Sequence, residues 1–297
     1  MLADVKKVLT FAAFKPEPDD RLATWARRFP RERTLLLNVG RGLTTWSGLD
    51  RKGRLVDGGS QSGEFKEVAA TASPEWRAFA EDGWCAVSLN TRYVISLETN
   101  VSRKPGVEQM LRTNPRAVLG GRYERGKRYE ILNNPESIAT ILLSVEEEHI
   151  KQLESTLRDA GLKVGRITCG SFAMLRRLLE TVHKTDSTNG KEEEAERQAA
   201  VLYVVCCDGS VCAMLEHGDS WNELRSRSDL YDEADYEPIF TILQPLISRL
   251  GARSKIHFVC DHAASAILDN LRKHVADAEI IDHGRDDYLW HLLSDRR

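Results

Sequence analysis

Two stretches of the chain share one pattern of apolar and polar positions. Residues 34–60 and residues 200–225 each contain three short apolar segments of strand length that are separated by tight turns. Glycines mark the first turn, at Gly40 and Gly42 in one stretch and at Gly209 in the other. Segments with the helical spacing of apolar residues alternate with further strands after each stretch. The order strand-strand-strand-helix-strand-helix-strand-helix is therefore predicted twice.

The regions around these repeats have weaker patterns. Residues 1–33, with one predicted helix at 19–29, are interpreted as an N-terminal extension. Residues 100–138 are irregular and predict a subdomain inserted into the first repeat. Residues 184–198 contain no large apolar side chain, so burial cannot offset the conformational entropy lost on ordering. They are predicted to form a mobile linker.

The predicted fold class is α/β, with two similar domains that face each other across a cleft. The first domain spans 34–183 and the second spans 199–297. Within the first domain, Ser73 followed by Pro74 predicts the start of a helix that carries Trp76. Serine is a good helix cap, and proline suits the first helical position.

Composition narrows the classes of function. The formal net charge is −3 at pH 7, so the chain lacks the strong positive charge of proteins that bind nucleic acid or anionic lipid. No segment approaches the ~20 apolar residues that a transmembrane helix needs. The six cysteines form no C-x-x-C pair, which favours reduced thiols in the core of a cytoplasmic protein. We therefore expect no nucleic-acid partner and no transmembrane segment.

Two groups of residues in the second repeat are candidates for a catalytic site and a metal site. Cys260 and His262 could form a nucleophile and base, but neighbours in sequence seldom converge in a catalytic site. A zinc site is disfavoured because adjacent residues of a strand point to opposite faces and rarely share a metal. Its candidate ligands would be Cys206, Cys207, Cys212, His257, Cys260 and His262. We interpret these residues as structural and predict neither a catalytic residue nor a metal site.

The duplicated order of elements resembles the actin-like ATPase fold, which consists of two RNase H-like domains in tandem. The resemblance implies that the first turn of each domain wraps the phosphates of ATP. It also implies an aspartate at the end of the first strand, which holds Mg²⁺. Gly40, Gly42 and Thr44 suit such a phosphate turn, but Asn38 stands at the position of the aspartate.

The second turn departs further from that pattern. Val205 stands where the matching acid would be, and Asp208 and Gly209 occupy the hairpin tip, where this pair is a common turn former. We interpret both turns as vestigial phosphate loops and expect a non-catalytic protein without a cofactor. The alternative is an enzyme that uses ATP and Mg²⁺, such as a small-molecule kinase with Asn38, Thr44 and Asp208 in its site.

One branch of the superfamily is most similar to this chain. The segment ATILLSVEEEHIKQLESTLRDAGLKVGRITCGSFAMLRRLLE, at 139–180, resembles PilM-like proteins of type IV pilus assembly. It also resembles the cytoplasmic domain of GspL-like proteins of type II secretion. VLYVVCCDGSVCAMLEHGDSWNELRSR, at 201–227, matches the same pattern of strand, hairpin and third strand.

The resemblance to these proteins implies a scaffold role. Its expected partners are membrane-embedded assembly proteins of the inner membrane and, in addition, a secretion motor ATPase. PilM-like proteins receive a short peptide in a groove of the first domain. The expected location is the cytoplasm, peripheral to the inner membrane.

Overall fold

The computed structural model of the chain describes most of its residues. Asp208 and the helix predicted at 19–29 lie outside the described part. Of the described residues, none belongs to a helix that is both long and apolar enough to cross a bilayer. The described ranges are 33–40, 42–52, 54–80, 83–99, 107–132, 140–188, 199–207, 209–217, 220–228, 230, 237–251, 253–260, 265–275 and 278–284.

The first main sheet has five strands in the order β3-β2-β1-β4-β8. Strand β1 pairs antiparallel with β2 and parallel with β4, which pairs parallel with β8. Helices α1 and α4 pack on one face, where Leu35 and Leu37 of β1 share a core with Trp76 and Leu157. The elements are β1 (Thr34–Val39), β2 (Leu43–Leu49), β3 (Leu55–Ser62), α1 (Phe65–Phe79), β4 (Trp84–Leu89), α4 (Glu147–Asp159) and β8 (Lys163–Cys169).

The helix predicted to start at Ser73 begins earlier. Helix α1 starts at Phe65 and contains Pro74 in its interior, so the predicted start was wrong. The buried residues Val68, Ala72 and Trp76 follow each other at spacings of four residues, and their burial drives the longer helix. Proline removes one intrahelical hydrogen bond, but packing of this face overrides the local preference.

The second main sheet has the strand order β11-β10-β9-β12-β13. Strand β9 pairs antiparallel with β10 and parallel with β12, as β1 does with β2 and β4. The outer pairs also match, because β10 with β11 is antiparallel and β12 with β13 is parallel, so the two sheets have the same topology. The repeat predicted from sequence corresponds to these sheets, while the division into two tandem domains stays a prediction. The elements are β9 (Ala200–Cys207), β10 (Ser210–His217), β11 (Ser220–Arg227), α6 (Glu237–Ile247), β12 (Lys255–Cys260), α7 (Ser265–His274) and β13 (Glu279–Asp282).

A small antiparallel sheet, in the order β5-β7-β6, lies between β4 and α4 in the chain. It extends beyond the insertion predicted at 100–138, because β7, which follows that range, pairs both with β5 before it and with β6 inside it. Asn114 accepts a hydrogen bond from the backbone N–H of Ala117 and separates the two short helices. The elements are β5 (Val94–Thr99), α2 (Val107–Thr113), α3 (Pro115–Leu119), β6 (Lys127–Leu132) and β7 (Thr140–Glu146).

Helix α5 (Gly170–Thr188) connects the two main sheets. Its buried residues Phe172, Leu175 and Leu178 belong to one core cluster with Leu36 of β1 and Val205 of β9. The helix continues to residue 188, so the first five residues of the predicted linker 184–198 are helical. Helix propagation adds one hydrogen bond for each residue, which extends a well-packed helix beyond its buried part. Residues 189–198 lie outside the described part.

Candidate functional site

The first turns of the two main sheets have the same backbone geometry. Gly42 has φ of 66° and Gly209 has φ of 69°, a region that glycine enters without steric cost. The carbonyl oxygen of Gly42 accepts a hydrogen bond from Gly63 N, and that of Gly209 from Leu230 N, both at 3.0 Å. In both turns the donor residue follows the acceptor residue at the same distance along the chain, so the two hydrogen bonds are equivalent. Gly40 closes the first turn by donating its N–H to the Leu43 carbonyl at 3.0 Å.

Strand register makes Val205 the counterpart of Asn38. Asn38 lies opposite Thr45 of β2, and Val205 lies opposite Cys212 of β10, each four residues before the glycine with positive φ. Thr44 lies opposite Val39 and is 1% exposed. The described residues at the ends of β1 and β9 and at the start of β2 therefore offer an amide, a hydroxyl, thiols and alkyl groups. Mg²⁺ prefers carboxylate and water oxygens, so this donor set does not fit the ion.

Polar residues that follow β4 form hydrogen bonds with β1 and with the start of α5. Asn90 donates its N–H to the Val39 carbonyl at 3.1 Å and accepts from Arg92 N at 2.9 Å. The Thr91 hydroxyl donates to the Ser171 hydroxyl at 2.7 Å. No sequence pattern indicated this pair, because the two residues are distant in the chain and meet only when the strands align.

All six cysteines are free and buried, as predicted for core thiols. Burial raises the pKa of Cys85 to about 12 and that of Cys169 to about 11, so both thiols stay protonated near neutral pH. Cys206 and Cys260 pack with α6 and α7, whereas Cys207 packs on the opposite face with α5. Among the described residues, no group of three or more His, Cys, Asp or Glu side chains could hold a metal. His262 lies outside that part.

A cavity of about 210 Å³ lies between the first main sheet and the small sheet. We call it the inter-sheet groove. Apolar side chains from both sheets and from α4 form most of its wall, with Arg128 and Glu130 of β6 supplying charge. Sequence patterns did not reveal it, because its wall combines several elements that are distant in the chain. Its apolar lining includes Leu89, Val94, Tyr129, Leu143, Val145 and Ile150.

A second group of ionisable side chains lies where α5 meets the second main sheet. Glu216 of β10 accepts from the Tyr203 hydroxyl at 2.7 Å, and its Oε2 lies 3.1 Å from Nε2 of His183. The Tyr203 ring stacks on His257 with 5.4 Å between centroids, and His257 Nδ1 lies 2.8 Å from His283 Nε2. Burial, with a smaller contribution from His283, lowers the pKa of His257 to about 4. His257 is therefore neutral near pH 7 and is held between the Tyr203 ring and His283.

No family model and no curated protein sequence match this chain. Solved structures do match. One is a protein of unknown function with an actin-like ATPase fold from Bacteroides thetaiotaomicron (TM-score 0.53, 8% identity, covering 90% of this chain and 97% of that chain). Another is the PilM-PilN type IV pilus biogenesis complex (TM-score 0.54, 12% identity, 88% and 97% covered).

A third match is the cytoplasmic domain of EpsL, an inner-membrane component of the type II secretion system of Vibrio cholerae. It has a TM-score of 0.49 and 9% identity, with 89% of this chain and 94% of that chain covered. Identities this low describe the fold and not the function. The first two matches, together with two main sheets of one topology, show that the chain has the actin-like ATPase fold.

Proposed function

We propose that this protein is a non-catalytic scaffold of a type IV pilus or type II secretion assembly. It binds a cytoplasmic segment of a membrane-embedded assembly protein at the inner membrane. PilM, which shares the fold, is found in complex with PilN, and this supports a partner of the same kind. The proposed location is the cytoplasmic side of the inner membrane, and a secretion motor ATPase is a further proposed partner.

The observation that carries this proposal is that neither Asn38 nor Val205, the described counterparts at the ends of β1 and β9, is a carboxylate. An actin-like ATPase needs carboxylates near the phosphates to position Mg²⁺, which neutralises the charge that develops during phosphoryl transfer. The described turn positions have Asn38 and Val205 instead. Gly40, Gly42, Thr44 and Gly209 remain as the backbone of two phosphate-type turns. We propose that they are structural remnants.

The inter-sheet groove supports the binding part of the proposal. Its wall is mainly apolar, and its volume of about 210 Å³ suits one or two apolar side chains of a bound segment. Strand β5 forms one edge of the small sheet next to it. An edge strand presents unpaired backbone groups that can bond an extended peptide.

The first prediction concerns nucleotide binding. Millimolar Mg-ATP is expected to leave the melting temperature unchanged in a thermal-shift assay, because Asn38 and Val205 stand at the described positions where carboxylates would hold Mg²⁺. A nucleotide bound at a hundred times its Kd would add about 2.7 kcal/mol of stability, which the assay detects easily. Magnesium with tripolyphosphate at equal ionic strength is the control for nonspecific anion effects.

A clear shift with Mg-ATP that Asn38→Ala abolishes would contradict the scaffold proposal. It would favour the alternative, an ATP-dependent enzyme such as a small-molecule kinase that uses Asn38, Thr44 and Asp208. Activity of a candidate kinase would then be assayed by ADP release with small hydroxyl acceptors.

The second prediction concerns the groove. Val94→Arg is expected to abolish binding of the cytoplasmic tail of a pilus or secretion assembly protein of the same genome, because Val94 lines the groove. Ile95, the next residue of β5, points to the opposite face and is 50% exposed. Ile95→Arg is therefore the matched control and should retain binding. A bacterial two-hybrid assay against each candidate tail measures both.

Equal binding by both variants, or no tail bound by the wild type, would contradict the assignment of the partner to this groove. A melting curve of Val94→Arg is required alongside, and a melting temperature near that of Ile95→Arg excludes general unfolding as the cause of lost binding.

A further inference from the structure

A second cavity, of about 340 Å³, lies at the amino-terminal ends of β4 and β8. It is distinct from the inter-sheet groove and shares no lining residue with it. Its lining comes from the first residue of β4, the last turns of α4 and the start of β8. The six lining residues are Trp84, Glu154, Arg158, Leu162, Lys163 and Val164.

The wall of this cavity is partly apolar. The Trp84 indole, Leu162 and Val164 supply the apolar surface. The Nε1 of Trp84 is itself shielded from solvent, so the indole contributes apolar ring surface to the cavity and no donor to a ligand. The Lys163 ammonium lies 5.8 Å from the centroid of the same ring.

The charge of the cavity is positive. Glu154, its one lining carboxylate, lies 3.2 Å from Nη1 of Arg128 and is neutralised from outside the cavity. Arg158 and Lys163 form no ion pair with any carboxylate in the described part of the chain. Two cations beside an apolar wall that includes the Trp84 ring favour a ligand that joins a carboxylate to a large apolar group.

We propose that this cavity binds a partner-protein segment in which an aromatic side chain stands next to an acidic residue. The aromatic ring would pack on Trp84 and Leu162, and the carboxylate would contact Arg158 and Lys163. The volume is at the lower end of the range for ligand sites, about 300–1,000 Å³, and suits one large side chain with a carboxylate better than a nucleotide. This proposal does not rest on the scaffold function.

The test uses two blocked tetrapeptides, Gly-Phe-Asp-Gly and its neutral counterpart Gly-Phe-Asn-Gly, at constant ionic strength. The indole N–H resonance of Trp84, identified by its loss in Trp84→Phe, is followed by NMR during titration of the folded protein. The acidic peptide is expected to shift this resonance and to bind at least tenfold more tightly than the neutral one. Tenfold corresponds to about 1.4 kcal/mol.

Charge variants complete the test. Arg158→Gln with Lys163→Gln is expected to abolish the preference for the acidic peptide. Lys66→Gln with Arg125→Gln removes the same charge from exposed positions outside the cavity and should leave the preference intact. The proposal is overturned if the Trp84 resonance does not shift, if both peptides bind equally, or if the preference survives in the cavity variant. The indole spectra of both double variants report whether each remains folded.

Discussion

Phe172→Ala is expected to lower the free energy of unfolding by about 3–5 kcal/mol, the usual cost of removing a large buried aromatic side chain. Phe172 is 1% exposed and lies on α5. It belongs to the core cluster that contains Leu36 and Ala86 of the first sheet and Cys212 of the second. The cavity left behind would therefore weaken the packing of α5 against both sheets. Urea denaturation followed by far-UV circular dichroism measures the change.

Two variants are suitable comparisons for Phe172→Ala. Phe172→Leu conserves much of the volume and should cost less than half as much. Thr181→Ala lies on an exposed position of the same helix and should change stability by no more than about 0.5 kcal/mol. A loss below 1 kcal/mol for Phe172→Ala would contradict a shared core. Two separate transitions in the wild type would also contradict it, because each sheet would then unfold alone.

Acidification from pH 7 to pH 4 is expected to remove up to about 3 kcal/mol of stability through His257 alone. The pKa of His257 is lowered from 6.5 to about 4 in the folded protein, first by burial and then by His283, Lys255 and His183. Below pH 6.5 the unfolded chain takes up a proton that the folded chain does not accept until about pH 4. The titration of His257 therefore has no effect on stability above pH 6.5. Below pH 6.5 it lowers the free energy of unfolding, and the loss grows as the pH falls to about 4.

The neighbouring His283 contributes in the same direction. Burial lowers its pKa, and Asp282 partly opposes the shift. The 2.8 Å contact between His257 Nδ1 and His283 Nε2 needs one nitrogen without a proton, so protonation of both rings would replace a hydrogen bond with repulsion. The loss of stability should therefore be accompanied by release of the edge strand β13.

His257→Phe separates this effect from general acid denaturation. The phenyl ring can still stack on Tyr203 but does not titrate, so its stability should fall less between pH 7 and pH 4.5 than that of the wild type. His149→Gln, on the exposed face of α4, should reproduce the wild-type profile. Urea denaturation at several pH values gives the three curves. A His257→Phe profile that coincides with the wild type would show that His257 is not responsible.

The sequence by itself determined the repeated order of strands and helices. Apolar runs such as 35–37 and 201–206 can only be buried in a sheet that is covered on both faces, and Gly42 and Gly209 mark the two matching turns. The mismatch at Asn38 and Val205 was also visible, because residue identity alone decides whether a carboxylate is present. Local signals were less reliable where packing opposed them, as at Pro74, where the buried face of α1 extended the helix through a proline.

Tertiary structure alone decided which distant residues meet. The inter-sheet groove, the Thr91–Ser171 pair and the contacts of Glu216 with Tyr203 and His183 combine residues that are far apart in the chain. The cavity beside Trp84 likewise forms only when β4, α4 and β8 come together. Periodicity records which face of an element is buried but carries no information on the partner of that face. The burial that lowers the pKa of His257 and the lack of a carboxylate partner for Arg158 and Lys163 among the described residues therefore become visible only in three dimensions.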